Sequence, residues 1–371
     1  MFFFFNTQEA IANSAIGKTH SLSITIPTGA TSANYTLPSA FNTSKSVIFW
    51  GGNTCTQSTA VANTYRARLT LVDSTTIRAN RNTSSASETV TAYACIAEFS
   101  TSFIKSVQYG TVTLGSISIV PPDDDGVNSG TYARAAISAV DLSNSFVLML
   151  GDSSQNPLNI TSRELYALEL KDSIVTGGKA VFAQRGSTTA SGNKTVSFCV
   201  VELQAGIIKS KQNIVTTLSS ANTQDTAAIT SVDAANSILI NNGAYTSSSN
   251  NWNEHLYNKC LTDGSTITYR RNGTLTNSRT LLDAVVEFEN GVMSGNQPTL
   301  DSFTASSHVY NITPVDTAKS IILQNGFNSA GTTSPTALMC AVALSASDSV
   351  TSYNQEGLTA VETAATVVGL L

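Results

Sequence analysis

The sequence predicts an all-β protein: four tandem β-sandwich-like modules behind a short N-terminal arm. Three observations carry this. The first is repetition. The run Asp141-Leu142-Ser143-Asn144-Ser145-Phe146-Val147-Leu148 returns as Asp233-Ala234-Ala235-Asn236-Ser237-Ile238-Leu239-Ile240. It returns again as Asp316-Thr317-Ala318-Lys319-Ser320-Ile321-Ile322-Leu323, and the three runs close on Gly151, Gly243 and Gly326. A divergent first copy, Asn42-Thr43-Ser44-Lys45-Ser46-Val47-Ile48-Phe49, closes on Gly51. The second observation is a succession of short runs that alternate apolar and polar residues between turn residues, as half-buried strands do. The third is composition: only 12% of residues are charged. Abundant Thr, Ser, Val and Ile then favour strands over helices.

Further anchors fix the repeat frame. The serines Ser46, Ser145, Ser237 and Ser320 step by 99, 92 and 83 residues. Cys95-Ile96-Ala97-Glu98-Phe99 aligns with Cys199-Val200-Val201-Glu202-Leu203, with Ala284-Val285-Val286-Glu287-Phe288, and with Thr366-Val367-Val368-Gly369-Leu370, which lacks the carboxylate. Ile104-Lys105-Ser106-Val107-Gln108 matches Ile208-Lys209-Ser210-Lys211-Gln212 and, loosely, Val292-Met293-Ser294 with Gln297. Solenoid repeats run roughly 20–50 residues, so units of this length are small domains with their own cores. The frame assigns residues 1–20 to an apolar arm and 21–110, 111–213, 214–297 and 298–371 to four modules, the last truncated.

Within the first module the elements follow in order. Residues 21–26 alternate as an outer strand, and residues 46–50 form a continuous apolar run suited to a strand buried on both faces. Residues 66–71 and 75–81 alternate again, 82–88 make a polar loop, 90–99 alternate to end the core, and 104–108 close the module. Residues 8–16 are the one stretch suggesting a turn of helix. Junctions at Tyr109-Gly110, Gln212-Asn213 and Gln297-Pro298 have no flexible linker, so modules pack end to end or share sheets as a stiff body that spans distance. The fourth module ends on its glutamate-equivalent strand, which predicts an open sheet edge there.

Several function classes are excluded by chemistry. Net charge is −5 and no basic run occurs, so nucleic acid is not a partner. His20, His255 and His308 fall at unrelated repeat positions, and five cysteines without paired spacing make neither a zinc site nor a disulfide framework. Cys95 and Cys199 exchange with Ala284 and Thr366, as small buried core residues do. No nucleophile, metal or nucleotide motif appears, so neither an enzyme nor a cofactor is predicted. The glutamates face away from Ala97, Val201 and Val286, which suggests pairs within modules: Glu98 with Arg81, Glu202 with Arg185, Glu287 with Arg271. Asp141, Asp233 and Asp316, with Asn42, read as turn caps. Asp123-Asp124-Asp125 follows Pro121-Pro122 and reads as a loop tip rather than a calcium loop, because it lacks the alternating ligand spacing. Trp252 and Tyr257, beside His255 on an Asn-rich stretch, are candidates for stacking on a sugar ring. Phe2, Phe3, Phe4 and Phe5 are too short a run for a signal or a membrane span, and read as an arm that must be covered, by a neighbouring subunit in preference to the chain's own first module.

The strand Ala97-Glu98-Phe99 with Lys105-Ser106-Val107-Gln108, repeated as Val201-Glu202-Leu203 with Lys209-Ser210-Lys211-Gln212 and as Val286-Glu287-Phe288, resembles a repeated module of tailed-bacteriophage virion proteins. The resemblance covers the chain after about residue 20 and is carried by short strand motifs. It implies an all-β structural subunit of a tail, fibre, baseplate or capsid surface. Such a subunit is made in the host cytoplasm, resides in the virion, and partners copies of itself and other virion proteins, with no membrane insertion. It implies no catalytic residues. A carbohydrate-binding adhesin that contacts a host-surface glycan is the alternative. A hydrolase would need a carboxylate pair made between modules.

Overall fold

The computed structural model describes residues 15–56, 62–85, 87–115, 131–155, 166–173, 178–185, 193–218, 222–245, 257–271, 278–304, 306–329, 340–354 and 361–371. It is an all-β fold of antiparallel sheets. The first six strands are β1 (Ile16–Ile26), β2 (Ser32–Thr36), β3 (Ser46–Cys55), β4 (Arg68–Asp73), β5 (Thr76–Asn80) and β6 (Val90–Phe99). Then come β7 (Ile104–Leu114), β8 (Thr131–Ile137), β9 (Ser145–Ser154), β10 (Ala167–Ser173), β11 (Gly178–Arg185) and β12 (Lys194–Leu203). The next six are β13 (Ile208–Leu218), β14 (Gln224–Ala228), β15 (Ser237–Tyr245), β16 (Tyr257–Asp263), β17 (Thr266–Arg270) and β18 (Arg279–Phe288). The last are β19 (Met293–Phe303), β20 (Ser307–Asn311), β21 (Ser320–Ser329), β22 (Cys340–Ala346), β23 (Ser349–Asn354) and β24 (Val361–Leu370). Pairing recurs every six strands, and each set of six is called a unit below.

Within a unit the first, sixth and third strands pair as one ribbon, as in β1-β6-β3, and the second, fifth and fourth as another, as in β2-β5-β4. The two ribbons of a unit lie in different sheets. Each sheet joins the fourth strand of one unit to the third strand of the next: β4 to β9, β10 to β15, β16 to β21. The series closes because β22 pairs with β3. Four six-stranded sheets therefore link the units into a ring.

A glycine makes each joint. Arg68 pairs with Gly151, Ala167 with Gly243, Asn258 with Gly326, and Ala341 with Gly52. All four glycines have positive φ, between 84° and 103°. Each sits where the register of the third strand against the sixth shifts, which is the signature of a bulge. A Cβ at Gly151, Gly243 or Gly326 would stand 2.3–2.4 Å from a backbone carbonyl at or just before the start of the neighbouring fourth strand. Glycine is thus required twice over, by dihedral and by approach.

Alternation on the third and sixth strands builds two kinds of core. One parity faces the ring interior: Phe49, Leu148, Ile240 and Leu323 from the third strands join Ala97, Val201, Val286 and Val368 from the sixth in one shared cluster. The other parity faces the unit's own second ribbon, as Val147, Phe198 and Val200 do against Leu168 and Val181. The third unit packs Leu239 and Val285 against Ile267 in the same way. Burial of both faces explains why the third strands read as continuous apolar runs.

Several expectations need correction. The expected boundaries at 110, 213 and 297 fall inside the strands that open the next units, which begin five to seven residues earlier than the expected modules, at Ile104, Ile208 and Met293. The strand after each glutamate opens the next unit, since β7 pairs with β12, β13 with β18 and β19 with β24. The fourth unit is therefore not truncated, and β24 is flanked by β19 and β21 rather than leaving an open edge. Residues 16–20 of the supposed arm belong to β1, and Phe2 to Phe5 lie outside the described residues. The units share sheets, but they curl into a ring instead of extending as a rod.

Between units the chain uses four-residue links, 100–103, 204–207 and 289–292. Each holds a turn bond: Phe103 N to Ser100 O at 3.1 Å, Ile207 N to Gln204 O at 3.3 Å, Val292 N to Glu289 O at 3.3 Å. Ala15 N donates to Leu371 O at 2.5 Å in the equivalent place, with no covalent link between them. Joining Leu371 to Ala15 through Asn-Gly, on the pattern of Asn290-Gly291, and opening the chain at 205–206 is expected to give a protein with the same far-UV circular dichroism. Its melting temperature should lie within a few degrees of the parent. A permutant that fails to fold would count against closure of the ring.

Candidate functional site

Strand direction gives the ring two unlike ends. At one end lie the links between units, the hairpins joining fourth to fifth strands and the turns preceding third strands. At the other lie the connection 27–31 and the ends of the third, fifth and sixth strands from which the remaining connections leave.

At the short-link end the repeated motifs form one recurring site. Asp141, Asp233 and Asp316 cap a 3₁₀ turn, accepting from Ser143 N, Ala235 N and Ala318 N at 2.9 Å. Asn42 accepts from Ser44 N at 3.1 Å. The following serine closes the turn, with Ser145 Oγ and Ser237 Oγ each donating to the capping residue's carbonyl at 2.6 Å. The glutamate holds the cap from behind. Asp141 N donates to Glu202 and Asp233 N to Glu287, each at 3.0 Å, and Asn42 N donates to Glu98 at 2.6 Å.

The expected Glu–Arg pairs are not what these glutamates make. Glu202 bonds Lys105 Nζ and Ser106 Oγ at 2.9 Å, and Glu287 bonds Lys209 Nζ and Ser210 Oγ at 2.8 Å. Glu98 lies 3.4 Å from Lys18 Nζ. In each case the partners come from the first strand of the glutamate's own unit, and not from Arg81, Arg185 or Arg271. The reason is topological: the fifth strand ends at the loop end, where the arginine sits, while the sixth strand reaches its glutamate at the opposite end. Gly369 replaces the glutamate where Ser294 and Gly295 replace the lysine and serine, and a Cβ at Gly369 would stand 2.5 Å from Ser294 Oγ. The carboxylate and its first-strand partners are thus lost together.

Burial works to raise the Glu202 carboxyl, but the Asp141 amide, Lys105 and Ser106 outweigh it and hold it below its ordinary value. Glu287 is lowered likewise, burial being overcome by Lys209, the Asp233 amide and Ser210. A folded pKa below the unfolded one contributes stability that is full above the unfolded value, near 4.5, and is lost as pH falls through the folded value. The urea midpoint is therefore expected to drop between about pH 5 and pH 3, and Glu202→Gln/Glu287→Gln should flatten that part of the profile.

The lysine, asparagine and threonine that follow reach across to the preceding unit. Lys211 Nζ donates to Ser145 O at 2.8 Å, Asn296 Nδ2 to Ala234 O at 3.0 Å, and Thr19 Oγ1 to Thr317 O at 2.8 Å, the last across the closure. At the remaining joint the direction reverses, and Lys45 Nζ donates to Ile104 O at 2.7 Å. The repeated glutamine clamps the backbone of one residue of its own unit, donating from Nε2 to its carbonyl and accepting at Oε1 from its N–H: Gln212 with Thr230 at 2.8 Å twice, Gln297 with Thr313 at 2.9 and 2.8 Å. Sequence inspection found these anchors and left their role open.

At the loop end the arginines act as hubs. Arg81, 3% exposed, donates to Pro27 O and Ala30 O at 2.8 Å, Glu88 O at 3.1 Å and Thr64 O at 3.2 Å, tying together all three connections of its unit. Arg185 donates to Gly115 O and Arg271 to Asn222 O. Arg81→Met would remove a donor from four carbonyls, of which Pro27 O keeps the Ala30 amide at 3.2 Å. A loss of roughly 3 kcal/mol in the urea-derived unfolding free energy is expected, with Arg81→Lys failing to restore it because an ammonium cannot span the same fork.

The other named residues divide. Tyr257 opens β16, is half-buried against the third unit's core and carries Lys259 Nζ 5.2 Å from its ring centroid. Trp252, His255 and Asp123 to Asp125 lie outside the described residues. His20 Nε2 is 2.6 Å from Tyr35 Oη, and His308 stacks on Phe303. Cys95 and Cys199 are free and buried, and burial pushes both thiols up, Cys95 to about 12. No group of metal-ligating residues gathers among the described residues. No described helix is long and apolar enough to cross a membrane.

Two buried charge clusters escaped the sequence reading. Asp152 takes Arg66 Nη1 at 2.7 Å, across the joint of the first two units, and Lys194 Nζ at 3.0 Å. Burial opposes its ionisation, and those two cations overcome the burial and lower its pKa. In the third unit Lys259 contacts Asp283 with neither side chain exposed, and Tyr269 Oη donates to Asp283 Oδ2 at 2.9 Å. Burial lowers the lysine and raises the aspartate. No protein-family model matches the chain, and no curated protein matches it.

Proposed function

We propose that this chain is a structural component of a tailed-phage virion, in a tail, fibre, baseplate or capsid-decoration position. The observation that carries the reading is the ring itself. Equivalent units share sheets and close on one another, with short links at one end and long connections at the other. That arrangement suits a stiff body fixed by one face and presenting loops from the opposite one. The motif behind the phage resemblance is the joint between units, the sixth strand, its four-residue link and the next first strand, so it serves modular construction. Edge strands offer contact points: Val215, 65% exposed, lies on β13, Leu300 on β19 and Val309 on β20. Such apolar edge residues fit pairing with copies of the chain or with other virion proteins, beside the Phe2–Phe5 arm.

Peptide mass spectrometry of density-purified particles tests this. The chain should be present in several copies per particle, and an antibody against it should decorate particles at one fixed place. Its absence from infectious particles sinks the proposal. Glycan-array binding by the isolated chain, lost on Trp252→Ala, would replace it with the adhesin reading.

A further inference from the structure

We propose that Lys259 and Asp283 condense into an intramolecular amide that staples β16 to β18. The two strands belong to different sheets, β16 to the sheet holding β21 and β24, β18 to the sheet holding β13 and β15. Their side chains meet inside the third unit with 0% exposure on both. Lys259 Nζ also lies 5.2 Å from the Tyr257 ring centroid, and Asp283 Oδ2 accepts from Tyr269 Oη at 2.9 Å.

Comparison within the chain shows that the fold does not need this pair. Register places Leu69 and Ala94, Leu168 and Phe198, and Val342 and Ala365 at the two positions in the other units. Three units fill the space with apolar side chains, and a buried ion pair is on average no better than such packing. At these two positions the third unit alone places an amine in contact with a carboxyl group, both side chains fully enclosed.

The chemistry balances within those groups. Proton transfer along the Nζ–Oδ1 contact converts ammonium and carboxylate to amine and carboxylic acid. Burial favours the neutral forms of both, lowering Lys259 and raising Asp283. The Nζ lone pair attacks the Asp283 carboxyl carbon, forming the C–N bond. The hydroxyl of Tyr269 donates to Oδ2, where negative charge develops. A proton passes from nitrogen to Oδ1, the C–O bond breaks, and one water leaves. No oxidant, reductant or cofactor takes part. Fixed contact supplies the effective concentration that free amine and acid lack. Exclusion of water then protects the amide from hydrolysis.

Intact-mass measurement of the folded full chain tests this. Its mass is expected to fall below the sequence mass by one water. Proteolysis should release a branched peptide joining the segments around Lys259 and Asp283, with fragment spectra locating the bond between those side chains. Lys259→Arg and Asp283→Ala should each restore the sequence-derived mass. Natively folded wild-type protein at full mass, with the two peptides recovered separately, overturns the proposal. So does a water loss that fragment spectra place elsewhere, or one that persists in both variants. The result does not depend on where in a virion the chain acts.

Discussion

Gly243→Val is expected to remove about 4 kcal/mol from the unfolding free energy, enough to leave much of the protein aggregated on expression. Two terms add. Gly243 has φ of 97°, a conformation in which a β-branched residue is strained by about 1–3 kcal/mol. A Cβ there would also stand 2.3 Å from Tyr166 O and 3.0 Å from Ala167 Cα. Those atoms are backbone, so relief requires moving β10 away from β15 and opening the joint between two units. Overpacking of this kind costs typically about 1–3 kcal/mol. The control is Gly206→Val in a link between units, where φ is 80° but nothing lies within 4 Å. It carries the dihedral strain alone, about 1–2 kcal/mol. The comparison, read from urea midpoints, isolates the close approach. Equal losses in the two variants would mean that the fourth and third strands of adjacent units do not meet as described.

The same joint shows how far sequence reading reached. Strand positions, the turn-capping Asp141, Asp233 and Asp316, and the equivalence of the glutamates were legible because each is a local pattern of period two or a capping geometry within a few residues. The glycine ending each apolar run was visible too, but a glycine in a strand announces only a bulge or a close approach, never which chain segment approaches. Sharing of sheets between units was therefore open, and closure of the ring through Gly52 and Ala341 was invisible, since more than 280 residues separate them. The misassigned arginines fail for a related reason. Parity gives the face of a strand on which Glu202 lies, but only the direction of the whole strand says that Arg185 sits at the other end. Unit boundaries slipped because β7, β13 and β19 follow the glutamate closely in sequence while pairing with later strands. The Lys259–Asp283 contact was hidden most deeply. Neither residue recurs in the repeat, and a departure from a repeat reads as drift until the partner is placed opposite it.

That departure makes the second strong prediction. Asp283→Ala is expected to lower the unfolding free energy by about 3–5 kcal/mol, because Lys259 is left enclosed without its carboxyl partner. Lys259→Met should lose a comparable amount by stranding Asp283, whose oxygens then retain only Tyr269 and the Asn242 backbone. The triple replacement Lys259→Met/Tyr269→Phe/Asp283→Leu behaves differently. It removes every polar group at once, approaching the apolar set Leu69, Ala79 and Ala94 that packs the first unit. Buried ion pairs replaced this way come out neutral or more stable by about 1–4 kcal/mol. The triple variant should then recover most of what either single variant loses, and an equilibrium titration in urea reads all three on one scale. If the amide between Lys259 and Asp283 forms, the wild type carries an additional constraint between two sheets, and the triple variant should fall short of it while still exceeding both singles. A triple variant no better than Asp283→Ala would mean that polarity at this point, and not merely the matching of charges, is what the third unit requires to pack.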